Sequence, residues 1–222
     1  MRKNGIHIGM PMRDSKQNRF AIPNKIWDHK LKPIASMIFS YLCYHQSHNP
    51  PAQITLQMIA NGVHSTESTV KKYIESLINK GLITREQTLT ANLQCNSCKN
   101  FFTLPNEIFL LKLPPSAFMV YAYLLLIENR KTHTCHPSYN TIATDTDLSK
   151  NTALKNINTL LEAGLITVEP SCYLDKSGMK WKGNNLYTIL PIRPAVDIFH
   201  QRQLRQLEID VAKSRLAAQS AV

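Results

Sequence analysis

Residues 20–42, FAIPNKIWDHKLKPIASMIFSYL, lie over residues 102–124, FTLPNEIFLLKLPPSAFMVYAYL, without a gap, so that Phe, Pro-Asn, Ile, Lys-Leu, Pro, Ala, Met and Tyr-Leu coincide. One residue out of step with that frame, IANGVHSTESTVKKYIESLINKGLIT (59–84) lies over IATDTDLSKNTALKNINTLLEAGLIT (142–167). The second overlay matches Thr69 with Thr152, Lys72 with Lys155, Ile74 with Ile157, Leu77 with Leu160, and a shared Gly-Leu-Ile-Thr. The chain therefore holds two copies of a unit about 82 residues long, and whatever it folds into must be built twice. Two copies make a duplication; a solenoid needs three or more repeats to bury a continuous core.

Each copy has the same local signals. An extended segment ending in Ile-Pro-Asn or Leu-Pro-Asn leads to a helix with Pro33 or Pro115 in its first turn, where the missing N–H costs nothing. The body of that helix (IASMIFSYLCYH; AFMVYAYLLLIE) is apolar nearly all round, which marks it as the buried centre of the unit. A short second helix follows Thr55 or Ser138, and a third follows Thr66 or Ser149, all good N-caps. Gly81 and Gly164 end the third helix in a left-handed cap, and β-branched residues after each begin a strand. Between the second and third helices stand His64 and Asp147, residue types that tolerate the left-handed turn. Gly62, two residues before His64, leaves room for a differently built turn in the first copy.

Helix, short helix, tight turn, helix, strand and hairpin is the order of a winged helix-turn-helix. The second copy, with LPNEIF, CHPSYNTIA, LSKNTALKNINTLLEAGLI and LYTI, resembles the winged-helix domains of replication initiators and regulators of bacterial plasmids, phages and integrative elements. The first copy, with ANGVHSTESTVKKYIESLINKGLI, is similar and more diverged. The resemblance covers about residues 20–191 and implies duplex DNA binding through the third helix and the wing, in replication initiation or transcriptional regulation. The expected fold is mainly α (α+β), with two tandem winged helix-turn-helix domains, each of three helices and a β-hairpin wing. The expected boundaries are a flexible basic arm at 1–19, domain 1 at 20–100, domain 2 at 101–191 and a C-terminal helix at 192–222.

Composition agrees with a polyanionic partner: 26 Lys and Arg against 15 Asp and Glu give +11 at pH 7. No run approaches the roughly 18 apolar residues of a membrane span, and the start of the chain lacks the apolar stretch of a signal peptide, so a cytoplasmic protein is expected.

The expected DNA contacts follow from position on each third helix. Leu154, Ile157, Leu160 and Leu161 fall at three- and four-residue spacings and form the expected buried stripe, leaving Ser149, Lys150, Asn151, Thr152, Lys155 and Asn156 on the exposed N-terminal turns. A recognition helix needs this arrangement, because its N-terminal residues reach base edges while its apolar back docks on the domain. Asn pairs with adenine, Lys with guanine or phosphate, Ser and Thr with phosphate. The first copy offers Thr66, Glu67, Ser68, Thr69, Lys71 and Lys72 at the same place; Glu67 can accept from cytosine and repels phosphate. After Gly164, two β-like runs flank a polar loop holding Lys176, Lys180, Trp181 and Lys182, expected to lie along the DNA backbone or in the minor groove. The same polar face, read alone, is that of any solvated surface helix. The competing function is a winged-helix adaptor whose third helices dock on partner proteins, as in some chromosome-organising subunits.

Catalytic motifs are missing: no Ser-His-Asp elbow, phosphate-binding Gly loop, HExxH or carboxylate constellation occurs, and no enzyme or cofactor is expected. Tyr121 and Tyr123 lie on the apolar helix and are expected in the core. Cys95 and Cys98 form a lone CxxC without a second ligand pair, so free thiols are expected in place of zinc. Arg2, Lys3, Arg13, Lys16 and Arg19, opposed by Asp14, make the N-terminal segment a basic arm. Near the C-terminus Leu204, Leu207 and Val211 stand at 3/4 spacing, a stripe that can pair two chains into a homodimer or pack on the second unit.

Overall fold

The structure, a computed structural model, describes residues 18–48, 53–85, 100–174 and 178–220. The first repeat runs β1 (Arg19–Pro23), a 3-10 helix (Asn24–His29), α1 (Pro33–His48), α2 (Leu56–Gly62) and α3 (Glu67–Asn79). The second runs β2 (Phe101–Pro105), a 3-10 helix (Asn106–Leu111), α4 (Pro115–Ile127), β3 (Thr134–Cys135), α5 (Tyr139–Asp145), α6 (Lys150–Glu162), β4 (Ile166–Glu169), β5 (Cys172–Leu174), β6 (Lys180–Lys182) and β7 (Leu186–Ile189). One long helix, α7 (Ile192–Ser220), ends the described chain. The protein is thus mostly helical with small antiparallel sheets, compatible with an α+β winged helix-turn-helix architecture.

The local signals act where the sequence puts them. Thr55, Thr66, Ser138 and Ser149 are the N-caps of α2, α3, α5 and α6, each side-chain oxygen accepting from the backbone N–H three residues on. Pro33 and Pro115 open α1 and α4, and Gly81 and Gly164 follow α3 and α6 at φ 67° and 71°. The two helix-turn-helix turns are built alike, against the expectation raised by Gly62. His64 (φ 51°) and Asp147 (φ 53°) take the same left-handed conformation, and Ser65 N–H donates to Ala60 O as Leu148 N–H does to Ala143 O. Gly62 serves another purpose: a Cβ there would overlap the ring of Tyr41.

The repeats do not simply follow one another. β1 and β2 pair antiparallel with Ala21 opposite Thr103, and these two residues are each other's equivalents in the duplication. Phe20 faces Leu104 and Ile22 faces Phe102, so exchanging the repeats returns the same register. That is the contact pattern of a two-fold axis. α1 packs on its equivalent, α4, and the aromatic contacts come in a matched pair. Tyr41 meets Phe109 edge-on with centroids 5.0 Å apart, and Tyr123 meets Trp27 edge-on at 5.7 Å. Each 3-10 helix also braces the opposite turn: His64 Nε2 lies 3.2 Å from Phe109 O, and Asp145, Thr146 and Asp147 border Trp27 and Lys30.

One hydrophobic core runs through both repeats, from Phe20, Ile38 and Leu42 to Phe118, Tyr121 and Leu160. Arg19, expected in the basic arm, instead begins β1 and ties the repeats together: its Nε donates to Thr103 Oγ1 at 2.9 Å and a terminal nitrogen to Thr103 O at 2.6 Å. Ile192, Ala195 and Val196 bury the start of α7, and Arg202 donates to Glu162 O at the end of α6. Farther along, Leu204, Leu207 and Val211 are exposed. Among the described residues no helix is long and apolar enough to cross a membrane.

Candidate nucleic-acid interface

Ser149 starts α6 by accepting from Thr152 N–H at 3.2 Å, with the Thr152 hydroxyl 2.8 Å from its own; both side chains are thus engaged in the cap. The buried back of α6 is Ala153, Asn156, Ile157 and Leu160, packed on α4 and α5. This corrects the sequence-derived stripe in two ways. Leu154 and Leu161, expected inside, are 42% and 38% exposed, and Asn156, expected on the DNA-reading turns, is only 4% exposed. Ile157 and Leu160 belong to both sets and are buried as expected, and Ala153 and Asn156 join them at three- and four-residue spacings in place of Leu154 and Leu161. Asn156 is accommodated because Ser116 Oγ, on α4, donates to its Oδ1 at 3.1 Å. Asn156 is therefore a packing residue between helices, out of reach of a base.

Over residues 150–158 the exposed face of α6 consists of Lys150, Asn151, Leu154, Lys155 and Asn158, which share one side at three- and four-residue intervals. Sequence reasoning missed Leu154 and Asn158. The signal was present, since both continue the spacing that starts at Asn151, but hydrophobicity ranked Leu154 into the core.

α3 is built the same way. Thr66 caps it, with Thr69 N–H at 3.3 Å and the Ser68 and Thr69 hydroxyls at 3.0 and 2.8 Å; Val70, Ile74 and Leu77 form its buried back. Glu67, Ser68, Lys71 and Lys72 are exposed, and the Lys72 ammonium lies 5.9 Å from the centre of the Tyr73 ring. Position for position, α3 has Glu67 for Lys150, Ser68 for Asn151, Lys71 for Leu154, Lys72 for Lys155 and Glu75 for Asn158. Over these positions two acids balance two lysines on α3, whereas α6 carries two lysines and no acid, its exposed Glu162 lying one turn beyond. Glu75 is further engaged by Arg85 at 3.1 Å.

The wing of the second repeat is a hairpin in two stages. β4 pairs with β7, which also pairs with β3 to complete a three-stranded sheet; beyond Pro170 and Gly183, β5 pairs with β6. Lys180, Trp181 and Lys182, expected in the connecting loop, form strand β6, their backbones opposite Leu174, Tyr173 and Cys172. Lys176 lies outside the described residues, as do the segment expected to form the first repeat's wing, with Cys95 and Cys98, and residues 1–17 of the expected arm. The hinge between the two stages is tied by Gly183 N–H donating to Ser171 O at 2.8 Å and by Ser171 Oγ donating to Asn184 O.

Beneath these surfaces the titratable groups are structural. Cys135, on β3 beside Tyr187 of β7, is buried and its thiol is pushed up to about 12, first by burial and then by the Glu128 carboxylate, which leaves it protonated and unreactive. Tyr121 and Tyr123 are buried as expected. The Tyr123 hydroxyl donates to Asp145 Oδ2 at 2.5 Å; burial first, then that bond and the Asp145 charge, raise its pKa.

Residues 111–166 match the model of a helix-turn-helix domain family, a stretch that spans α4, β3, α5, the turn and α6. A helix-turn-helix domain here supports DNA binding. No curated protein matches the chain. Among solved structures, the chain is similar to a "possible transcriptional regulator" from Methanosarcina mazei Go1, at 16% identity and a TM-score of 0.33, over 53% of this chain and 92% of that one.

Proposed function

We propose that the protein binds a specific double-stranded DNA site and catalyses no reaction on it, acting as two winged-helix units over residues 20–100 and 101–191 in the cytoplasm. The observation that carries this reading is the exposed, lysine- and asparagine-bearing N-terminal face of α6, on a capped helix whose back is buried within the matched helix-turn-helix domain. Lys150 and Asn151 stand on the first turn, where recognition helices meet base edges, and Lys155 follows one turn later, within reach of phosphate. Lys176, Lys180 and Lys182 add charge along the wing.

The two-fold relation of β1 with β2 and of α1 with α4 supports a particular site geometry. Readers related by a two-fold axis meet DNA half-sites running in opposite directions, so the target is an inverted pair of elements although the repeats are direct in sequence. The exposed stripe Leu204, Leu207 and Val211 on α7 suits pairing with a second copy, which would double the site. Control of replication or transcription in a bacterial plasmid, phage or integrative element is the role the sequence resemblance suggests. The charge-balanced face of α3 favours a second reading for the first repeat alone, docking on a partner protein.

The test is selection of purified protein on a random duplex library at near-physiological salt. Enrichment of a two-part inverted motif is the expected result. A single short element would assign reading to α6 alone, and the absence of any enriched sequence would overturn specific DNA binding.

A further inference from the structure

Leu154 sits in the middle of the polar face of α6, exposed, with Lys150 and Asn151 one turn before it, Lys155 beside it and Asn158 one turn after. A lone exposed leucine needs no explanation on most surfaces. This one occupies the fifth position after the cap, on the part of the helix that enters the groove if the DNA-reading function proposed above holds; the inference rests on that reading. Leu161, also exposed, lies two turns and about 10 Å farther along the axis, beyond the N-terminal turns that meet the bases. In the major groove the apolar feature available to a side chain is the 5-methyl group of thymine; the other base edges present donors and acceptors.

We infer that Leu154 reads a thymine through its 5-methyl group in the arm bound by α6, and that the arm bound by α3 takes a guanine at the matching place, because Lys71 stands at the equivalent position. Both residues are fifth after their caps, Ser149 and Thr66, on helices with the same turn geometry and related by the same two-fold arrangement. Lysine donates to guanine O6 and N7, a pattern that thymine cannot match. The target is thus an inverted repeat with unlike arms, and a single orientation of the protein on it follows from the unlike residues.

The experiment uses the full chain and the duplex enriched from the random library, with Asn151→Ala identifying the arm that α6 reads by the loss of preference there. The thymine in that arm is replaced by deoxyuridine, which removes the methyl group alone. The wild-type protein is expected to bind about fourfold more weakly, the effect of one buried methyl. Leu154→Ala, an exposed position where truncation leaves the core intact, is expected to bind both duplexes equally. Leu154→Lys is expected to shift that arm's preference from thymine to guanine. Equal wild-type binding to the thymine and deoxyuridine duplexes would overturn the inference, as would a Leu154→Ala protein that keeps the difference, while specific DNA reading would stand. A library that yields no enriched sequence would overturn both.

Discussion

Tyr41 and Tyr123 occupy equivalent places in α1 and α4, and their surroundings have diverged. In the second repeat the Tyr123 hydroxyl donates to Asp145. In the first, the position of Asp145 is taken by Gly62, and the Tyr41 ring fills the space that a side chain there would need. The same divergence separates the third helices: Asn156 of α6 is hydrogen-bonded to Ser116 of α4, whereas their equivalents, Tyr73 and Ile34, are partly buried apolar residues on the core. What the repeats keep in common is the set of caps, the left-handed turn residues and the aliphatic cores of the helices. A duplicated scaffold can exchange a polar pair for an apolar one wherever both partners change together, because the Ser116 hydroxyl and the Asn156 carbonyl oxygen satisfy each other, while Tyr73 and Ile34 pack on the core. The outward faces of α3 and α6 are under no such constraint and differ most.

Four measurements test how far the two repeats have diverged. The largest effect is expected at Phe109, which meets Phe20, Tyr41 and Tyr44 across the junction of the repeats and Phe118 within its own. Phe109→Ala should cost about 3–5 kcal/mol in urea unfolding, and both repeats should melt in one transition. Its equivalent Trp27, half-buried, should cost less, and two separate transitions would show that the shared core is not shared energetically. Gly62→Ala forces the Tyr41 ring to move and should cost about 1–3 kcal/mol, more than the roughly 1 kcal/mol expected for removing the Tyr123 hydrogen bond by Asp145→Ala. If Gly62→Ala is neutral, the close approach of Tyr41 is not what requires glycine.

Asn156→Ala should lower stability by about 1–2 kcal/mol through loss of the Ser116 bond. The enriched DNA motif should be unchanged, and a changed motif would return Asn156 to the reading surface. The smallest effect concerns charge. Lys155→Ala should reduce the salt dependence of DNA binding by about one unit of slope, measured by titration at several salt concentrations. Lys72→Ala, on the charge-balanced α3 face, should reduce it by less; an equal reduction would mean that both faces lie equally close to phosphate.

The interactions closed within a few residues were legible in the sequence. A cap needs a hydroxyl three residues from a free N–H, and a helix end needs a residue that accepts positive φ, so Thr66, Ser149, Gly81 and Gly164 could be placed by spacing alone. The exposed Lys150, Asn151 and Lys155 were legible for the same reason. Half of the buried side of α6, Ile157 and Leu160, was legible too; the other half was not, since Leu154 and Leu161 also stand three or four residues from Ile157 and hydrophobicity favoured them over Ala153 and Asn156. The choice was made by α4, which offers Ser116 to Asn156 and room for a small residue at 153. The 3-10 helices and the short strand β3 were also missed; each is held by contacts with distant segments, β3 by β7 and the 3-10 helices by the opposite repeat.

Residue order along the chain dictates that one unit is built twice, where its helices begin and end, and that its charge and polar helix faces suit an anionic partner. How the two units stand to each other emerges from their packing. A direct repeat along the chain became a two-fold pair because the strand before each first helix is an unpaired edge, and its best partner is its own equivalent. Backbone groups left open at that edge, and apolar helices α1 and α4 too hydrophobic to face water on any side, are satisfied together only when the repeats close on one another.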